Sequence, residues 1–94
     1  MTTQVVQLYT DPGHGWLRVK RTQLAELGIT HKITPFSYQR GQWVYLEEDC
    51  DASLFLDTVR AKTGSYPMCV THNSRTKPSK IRGYESYCCV AEVA

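Results

Sequence analysis

The chain has 94 residues, 41% of them hydrophobic and 21% charged, and a formal net charge of +2 at pH 7. A domain of this size buries only about 60–65% of its unfolded surface, which excludes a multidomain enzyme and any large cleft between domains. It holds no run of about 18 apolar residues to cross a membrane, and residues 1–20 lack the apolar core of a signal peptide, so a cytoplasmic location is expected.

Gln4 to Tyr9 is apolar and β-branched and runs into Asp11-Pro12-Gly13, a strong turn signal, so a first strand is predicted there. After Gly13-His14-Gly15, Trp16 to Val19 resumes extended character and makes a hairpin-like pair with it. Leu24 and Leu27 followed by Gly28 fit a short helix from about Thr22. So short a helix needs a sheet to pack on. Phe36 to Gln39 and Trp43 to Leu46 flank Arg40-Gly41-Gln42 as the arms of a β-hairpin. Glu47, Glu48, Asp49 and Asp51 then precede Leu54 to Lys62, the clearest helix, whose apolar stripe is Ala52, Phe55, Leu56 and Val59. Asp49 or Asp51 is expected to cap it, Arg60 and Lys62 sit at its negative end, and Gly64 closes it. Pro67 to His72 and Ile81 to Val90 predict two more strands around a polar turn, Asn73 to Ser79, with residues 91–94 fraying. The predicted fold is α+β in a single domain, 1–94. It has a mostly antiparallel sheet of about six short strands, in the order ββαββαββ, with one or two helices packed on a face.

Chemistry is sparse along this frame. Cys50, Cys69, Cys88 and Cys89 read as thiols, since nothing marks the chain for an oxidising compartment. Side chains alternate along a strand, so Cys69 and His72 point to opposite faces and form no thiolate–imidazole pair; Cys88 and Cys89 turn apart for the same reason. His14, His31 and His72 are scattered and no Cys-x-x-Cys occurs, so the spacing of a zinc site is missing. The acidic run lacks the calcium-loop pattern, and neither a P-loop nor a dinucleotide fingerprint is present. No catalytic residue, metal or cofactor is expected, and the protein is read as not an enzyme.

The candidates for binding are three groups. Trp16 closes the string Asp11 to Trp16, where glycines on either side of His14 let a ligand approach the backbone and an exposed indole can stack on it; a core tryptophan behind a tight turn is the alternative. Arg75, Lys77, Lys80 and Arg82, with Tyr84 beside them, lie in a stretch from Thr58 to Tyr84 that has no acidic residue. That pattern suits phosphate contact with aromatic stacking, or simply a solvated hairpin tip. Glu47, Glu48 and Asp49 exceed what helix capping needs and suit a basic partner.

Trp16 to Leu46 runs strand, short helix ending Leu27-Gly28-Ile29, connector and hairpin. In outline this resembles the swapped-hairpin transition-state-regulator type of DNA-binding domain, which implies dimeric DNA binding. Lys20-Arg21 stands where that type has a proline and Thr30-His31-Lys32 where it has a Gly-Asp turn, so no functional residue carries over. The fuller set Pro12-Gly13-His14-Gly15-Trp16, Leu27-Gly28-Ile29, Ser37-Tyr38-Gln39-Arg40-Gly41 and Tyr45 to Ala52 resembles small uncharacterised proteins encoded by bacteriophages and bacterial mobile elements. That likeness spans most of the chain, implies the cytoplasm of a bacterial host, and brings no reaction with it. The expectation is a small non-enzymatic phage or mobile-element protein that binds a host protein or ribonucleoprotein complex, for instance to inhibit a bacterial defence system. The alternative is a small homodimeric DNA- or RNA-binding regulator. No membrane contact is expected.

Overall fold

The structure, a computed structural model, describes residues 4–88. Alternation of side chains builds its first strands. In β1 (Val5–Thr10) Val6 and Leu8 pack into the core while Gln7 and Tyr9 turn the other way, and β2 (Gly15–Lys20) likewise sends Leu17 and Val19 inward and Arg18 and Lys20 outward. Between them Asp11 to His14 makes the predicted turn, closed by the Asp11 N–H donating to the His14 carbonyl at 2.8 Å. β2 runs directly into α1 (Arg21–Glu26), whose first amides are served by Gln23, its Oε1 accepting from the Lys20 N–H at 2.9 Å. α1 is too short to persist alone; Leu24, fully buried, holds it to the sheet. A single 3₁₀ turn (Thr30–Lys32) leads to the hairpin of β3 (Tyr38–Arg40) and β4 (Trp43–Glu47), bent at Gly41.

α2 (Asp51–Thr63) carries the chain from β4 across the core to β5 (Met68–Asn73). Its C-cap is Gly64, at φ 90°, a left-handed conformation in which any side chain would be strained. The cap at the other end differs from expectation: Cys50 occupies it and no side chain caps the helix. Asp51 is drawn away by tertiary donors, its Oδ2 accepting from the Thr34 N–H (2.9 Å), Thr34 Oγ1 (2.7 Å) and Ser37 Oγ (2.6 Å). Glu47 takes over locally, its carboxylate accepting from the N–H groups of Asp49 and Cys50.

The six strands stand in the order β5-β1-β2-β4-β3-β6, antiparallel throughout except for the parallel pair β1–β5. A parallel neighbour requires a long crossover, and α2 is that crossover. Both helices lie on one face, where Phe55, Val59 and Leu24 meet Val6, Leu17, Val19, Val44 and Leu46. At about 1.5–3 kcal/mol for each fully buried large apolar side chain, this cluster supplies most of the favourable term in folding.

The last predicted strand is corrected. Of the described part of that span, residues 81–88, only Glu85–Ser86 (β6) is a strand, and residues 80–83 form a 3₁₀ turn. β5 and β6 sit at opposite edges of the sheet, so 73–79 is no hairpin tip; the chain from Ser74 to Tyr84 crosses the helix-free face. Ile81 decides this, since its side chain is buried against Trp16 and Tyr45 and cannot at the same time lie in a solvated strand. Tyr87 then anchors the end of the described chain, its hydroxyl donating to the Thr30 carbonyl at 2.7 Å. The expectations for Cys89, for the strand beyond Cys88 and for residues 91–94 lie outside the described residues. None of the described helices is long and apolar enough to cross a membrane.

Candidate binding face

Because Leu17, Val19, Val44 and Leu46 point to the helices, the residues between them point the other way. The helix-free face therefore carries Gln7 and Tyr9 from β1, Trp16, Arg18 and Lys20 from β2, Trp43 and Tyr45 from β4, and Tyr38 and Arg40 from β3. Cations and rings interleave on it. The Arg18 guanidinium carbon lies 4.2 Å from the centre of the Trp43 ring and 5.6 Å from that of Tyr9; Lys20 Nζ is 5.7 Å from the centre of the Trp43 ring. Arg40 lies 5.1 Å over Tyr84, which packs on Tyr45 with ring centres 5.2 Å apart. Burial pushes the Tyr45 phenol above its ordinary pKa, helped by Tyr84 and opposed by Arg18, so it remains neutral. Arg18 Nε is buried and finds no acceptor among the described residues, an unusual state for a buried donor. Two clefts open beside it. One of about 240 Å³ lies between Tyr9, Arg18, Tyr45, Lys80 and Tyr84, and one of about 410 Å³ runs along Val5, Gln7, Arg18, Lys20 and Trp43.

The crossing segment is fastened at one end of this face by a buried carboxylate. Asp11 is 7% exposed. Its Oδ2 accepts from Arg82 Nε (2.6 Å) and the Ser79 N–H (2.8 Å), and its Oδ1 from Arg82 Nη2 (2.9 Å) and the N–H groups of Gly13 and His14 (3.0 Å each). The Arg82 guanidinium, chiefly, and then these amides hold its carboxyl far below the usual carboxylate range. Gly13 lies close to the same contact: a Cβ there would sit 2.9 Å from Arg82 Nη2 and press on the guanidinium. The string Asp11 to Gly15 thus clamps the crossing segment rather than exposing backbone to a ligand.

The structure brings four of the sequence-selected residues together on the helix-free face, sets Glu47 and Asp49 in a cleft beside two of them, and leaves Arg75, Lys77 and Glu48 apart. Trp16, Lys80, Arg82 and Tyr84 meet on the helix-free face, with Trp16 only 2% exposed beneath Arg82, whose guanidinium carbon is 5.4 Å from its ring. Trp16 is core. Arg82 spends its fork on Asp11. Arg75 and Lys77 stand exposed in the turn that starts the crossing. Glu48 and Asp49 are exposed and Glu47 half-buried at the β4–α2 junction. Acidic and basic groups distant in sequence come into one cleft here, about 390 Å³, lined by Glu47, Asp49, Arg82, Trp16 and Phe36.

Sequence reasoning passed over Tyr9, Arg18, Lys20, Arg40, Trp43 and Tyr45. The signal was present: Trp16-x-Arg18-x-Lys20 and Trp43-x-Tyr45 put rings and cations at every second position of two adjacent strands.

Among the described residues Cys69 and His72 do not pair beside the face. Cys69 aligns with Val6 and His72 with Tyr9, so they lie on opposite faces of β5; His72 stacks on Tyr9 at 4.8 Å and its Nε2 bonds Gln7 Oε1. Partial burial raises the Cys69 thiol above its ordinary pKa, opposite to what nucleophilic activation needs. Among the described residues no three His, Cys, Asp or Glu side chains are grouped to hold a metal ion. Comparison with known proteins finds no family model, no curated protein and no solved structure that matches this chain.

Proposed function

We propose that the protein acts by binding rather than by turnover, in the cytoplasm of a bacterial host, and that its helix-free face takes a single-stranded segment of host nucleic acid, free or within a ribonucleoprotein. The observation that supports this is Arg18 set between the Trp43 and Tyr9 rings with Lys20, Arg40 and Lys80 around it. Aromatic faces stack on unpaired bases without regard to sequence, and cations between them track the phosphates. A duplex hides its bases and offers such a face only its backbone. The guanidinium of Arg18 also has a buried donor without an acceptor, which a phosphate or base oxygen entering the adjoining cleft supplies.

The test is fluorescence anisotropy with labelled DNA and RNA strands of mixed sequence and with their duplexes. Tighter binding of single strands is expected, weakening as salt rises with a log–log slope of about −0.7 per phosphate contacted. Binding that ignores salt, or an absence of binding to any strand at low salt, refutes the reading.

One observation favours a second reading, a blocking contact with a host protein such as a component of a defence system. Phe36 is 76% exposed and shares its cleft with Glu47, Asp49 and Arg82, the mixture of ring and opposed charges found in protein interfaces. Capture from bacterial lysate with and without nuclease separates the two. A stoichiometric protein that survives nuclease and is lost on Phe36→Ala selects the second.

A further inference from the structure

Among the described residues the sheet ends on one side in β6, two residues long, and on the other in β5, which is six residues long and exposed along its whole length. The Met68 N–H donates to the Gln4 carbonyl and the Ser74 N–H to the Thr10 carbonyl. In a parallel ladder, residues of that parity face the neighbouring strand, so the N–H and C=O groups of Cys69, Thr71 and Asn73 point away from β1. Proteins usually blunt such an edge with lysine, proline or a bulge. β5 has none of these: Met68 to Asn73 contains no charged residue and no proline, and its register with β1 is unbroken. Beside the bare edge, on the helix-free side, Val5, Met68 and Val70 form an apolar patch, 50%, 58% and 40% exposed, that the β1–β5 register makes continuous.

We propose that this edge pairs with β5 of a second copy of the chain, antiparallel, about a twofold axis perpendicular to the sheet. A row of outward N–H and C=O groups can be paired along its length by another extended strand, and in antiparallel register β5 is complementary to itself. Centred on Thr71, the self-register places Cys69 opposite Asn73 of the other copy, so that each outward amide meets an outward carbonyl. It also sets Val70 and His72 of the two copies across from one another, so that the two Val70 side chains are diagonal neighbours across the axis while each Met68 faces Ser74 of the other copy. The net positive charge of the molecule does not oppose this approach, because neither β1 nor β5 carries a charged side chain. An interface of one strand pair and one small patch is at the low end of specific contacts, below about 1,200 Å², so association is weak and depends on concentration. Such an axis keeps both helix-free faces on the same side of one continuous sheet. The inference rests on the edge alone and stands whether or not that face binds nucleic acid.

Sedimentation of the full chain from about 10 µM to about 1 mM, the range in which a weak interface assembles, tests it. The expected result is a shift from the 10.7 kDa monomer towards twice that mass. Amide exchange supplies the register: Cys69, Thr71 and Asn73 should gain at least about tenfold protection at high concentration, whereas Val70 and His72, bonded to β1, should be protected throughout. Thr71→Pro removes an outward donor without touching the β1 ladder, and Thr71→Lys sets like charges opposite each other. Both variants should remain monomeric, and if the proline variant does not fold the lysine variant decides. A wild-type chain that stays monomeric across the range, or a dimer that persists in Thr71→Lys, overturns the proposal.

Discussion

The sheet face beneath the helices is aliphatic and the face without helices is aromatic and cationic, although both are made from alternate residues of the same strands. Leu17 and Val19 are interleaved with Trp16 and Arg18; Val44 and Leu46 with Trp43 and Tyr45. Aliphatic side chains suit a layer that water never revisits, since their whole surface is apolar. Rings with polar edges, and arginine and lysine with apolar stems, suit a face that stays half wet. The difference teaches that β2 and β4 encode an aliphatic core on one period and an aromatic, cationic face on the other, and that each is open to separate attack.

Phe55→Ala attacks the first face and is the largest effect. Phe55 is fully buried between α2 and the sheet, so truncation should cost about 3–5 kcal/mol, most of the stability of a domain at the low end of about 5–15 kcal/mol. Chemical denaturation measures it. A loss below about 1 kcal/mol would mean that α2 is not what the aliphatic face is for.

The clamp at the margin of the other face is next, and pH reveals it. Asp11 has its folded pKa depressed, so it contributes its full stability above the ordinary carboxylate value of about 3.9 and loses it as pH falls from there towards the folded value. Asp11→Asn keeps the shape but not the charge. It should lower the denaturation midpoint at pH 7 and flatten the fall between pH 5 and pH 2; a wild-type midpoint with the same acid sensitivity as the variant would show the pair to be idle.

Trp43→Ala attacks recognition. With Trp43 half-buried and stacked on Arg18, its loss should weaken single-strand binding by about 1–3 kcal/mol while shifting the denaturation midpoint less than Phe55→Ala does. Anisotropy and denaturation on the same sample check both halves. Equal affinity with lowered stability would make the ring mere cover for the sheet, and would join the two faces in one purpose.

What was legible in the sequence follows the range of the interactions involved. Strand alternation, the Gly64 stop and the Gly41 bend are decided within a few residues, and the α+β order with its mostly antiparallel sheet was readable from them. The clamp was not, because Asp11 meets Arg82 across 71 positions, and Asp51 forgoes its local capping role for Thr34 and Ser37. The strand expected from Ile81 begins only at Glu85 for the same cause: alternation is visible locally, but Ile81 is claimed by Trp16 and Tyr45 from elsewhere in the chain. Of the basic residues on the proposed face, Lys80 and Arg82 were found by charge density, which marks a segment and not a surface. Arg18 and Trp43 stood on strands already predicted, and only the pairing of β2 with β4 puts them on one face.

The smallest effect separates the surface from the segment. Lys80 opens onto the cleft with Tyr9, Arg18 and Tyr84, whereas Lys77 stands three residues away in the exposed turn. If the ligand follows the face, Lys80→Ala should reduce the log–log salt slope of single-strand binding by about 0.7, one phosphate contact, and leave its sequence preference unchanged. Lys77→Ala should leave the slope as it is. The reverse result would route the strand along the turn at residues 74–79, making the aromatic face a covering for the crossing segment and returning recognition to the basic run where charge density alone had placed it.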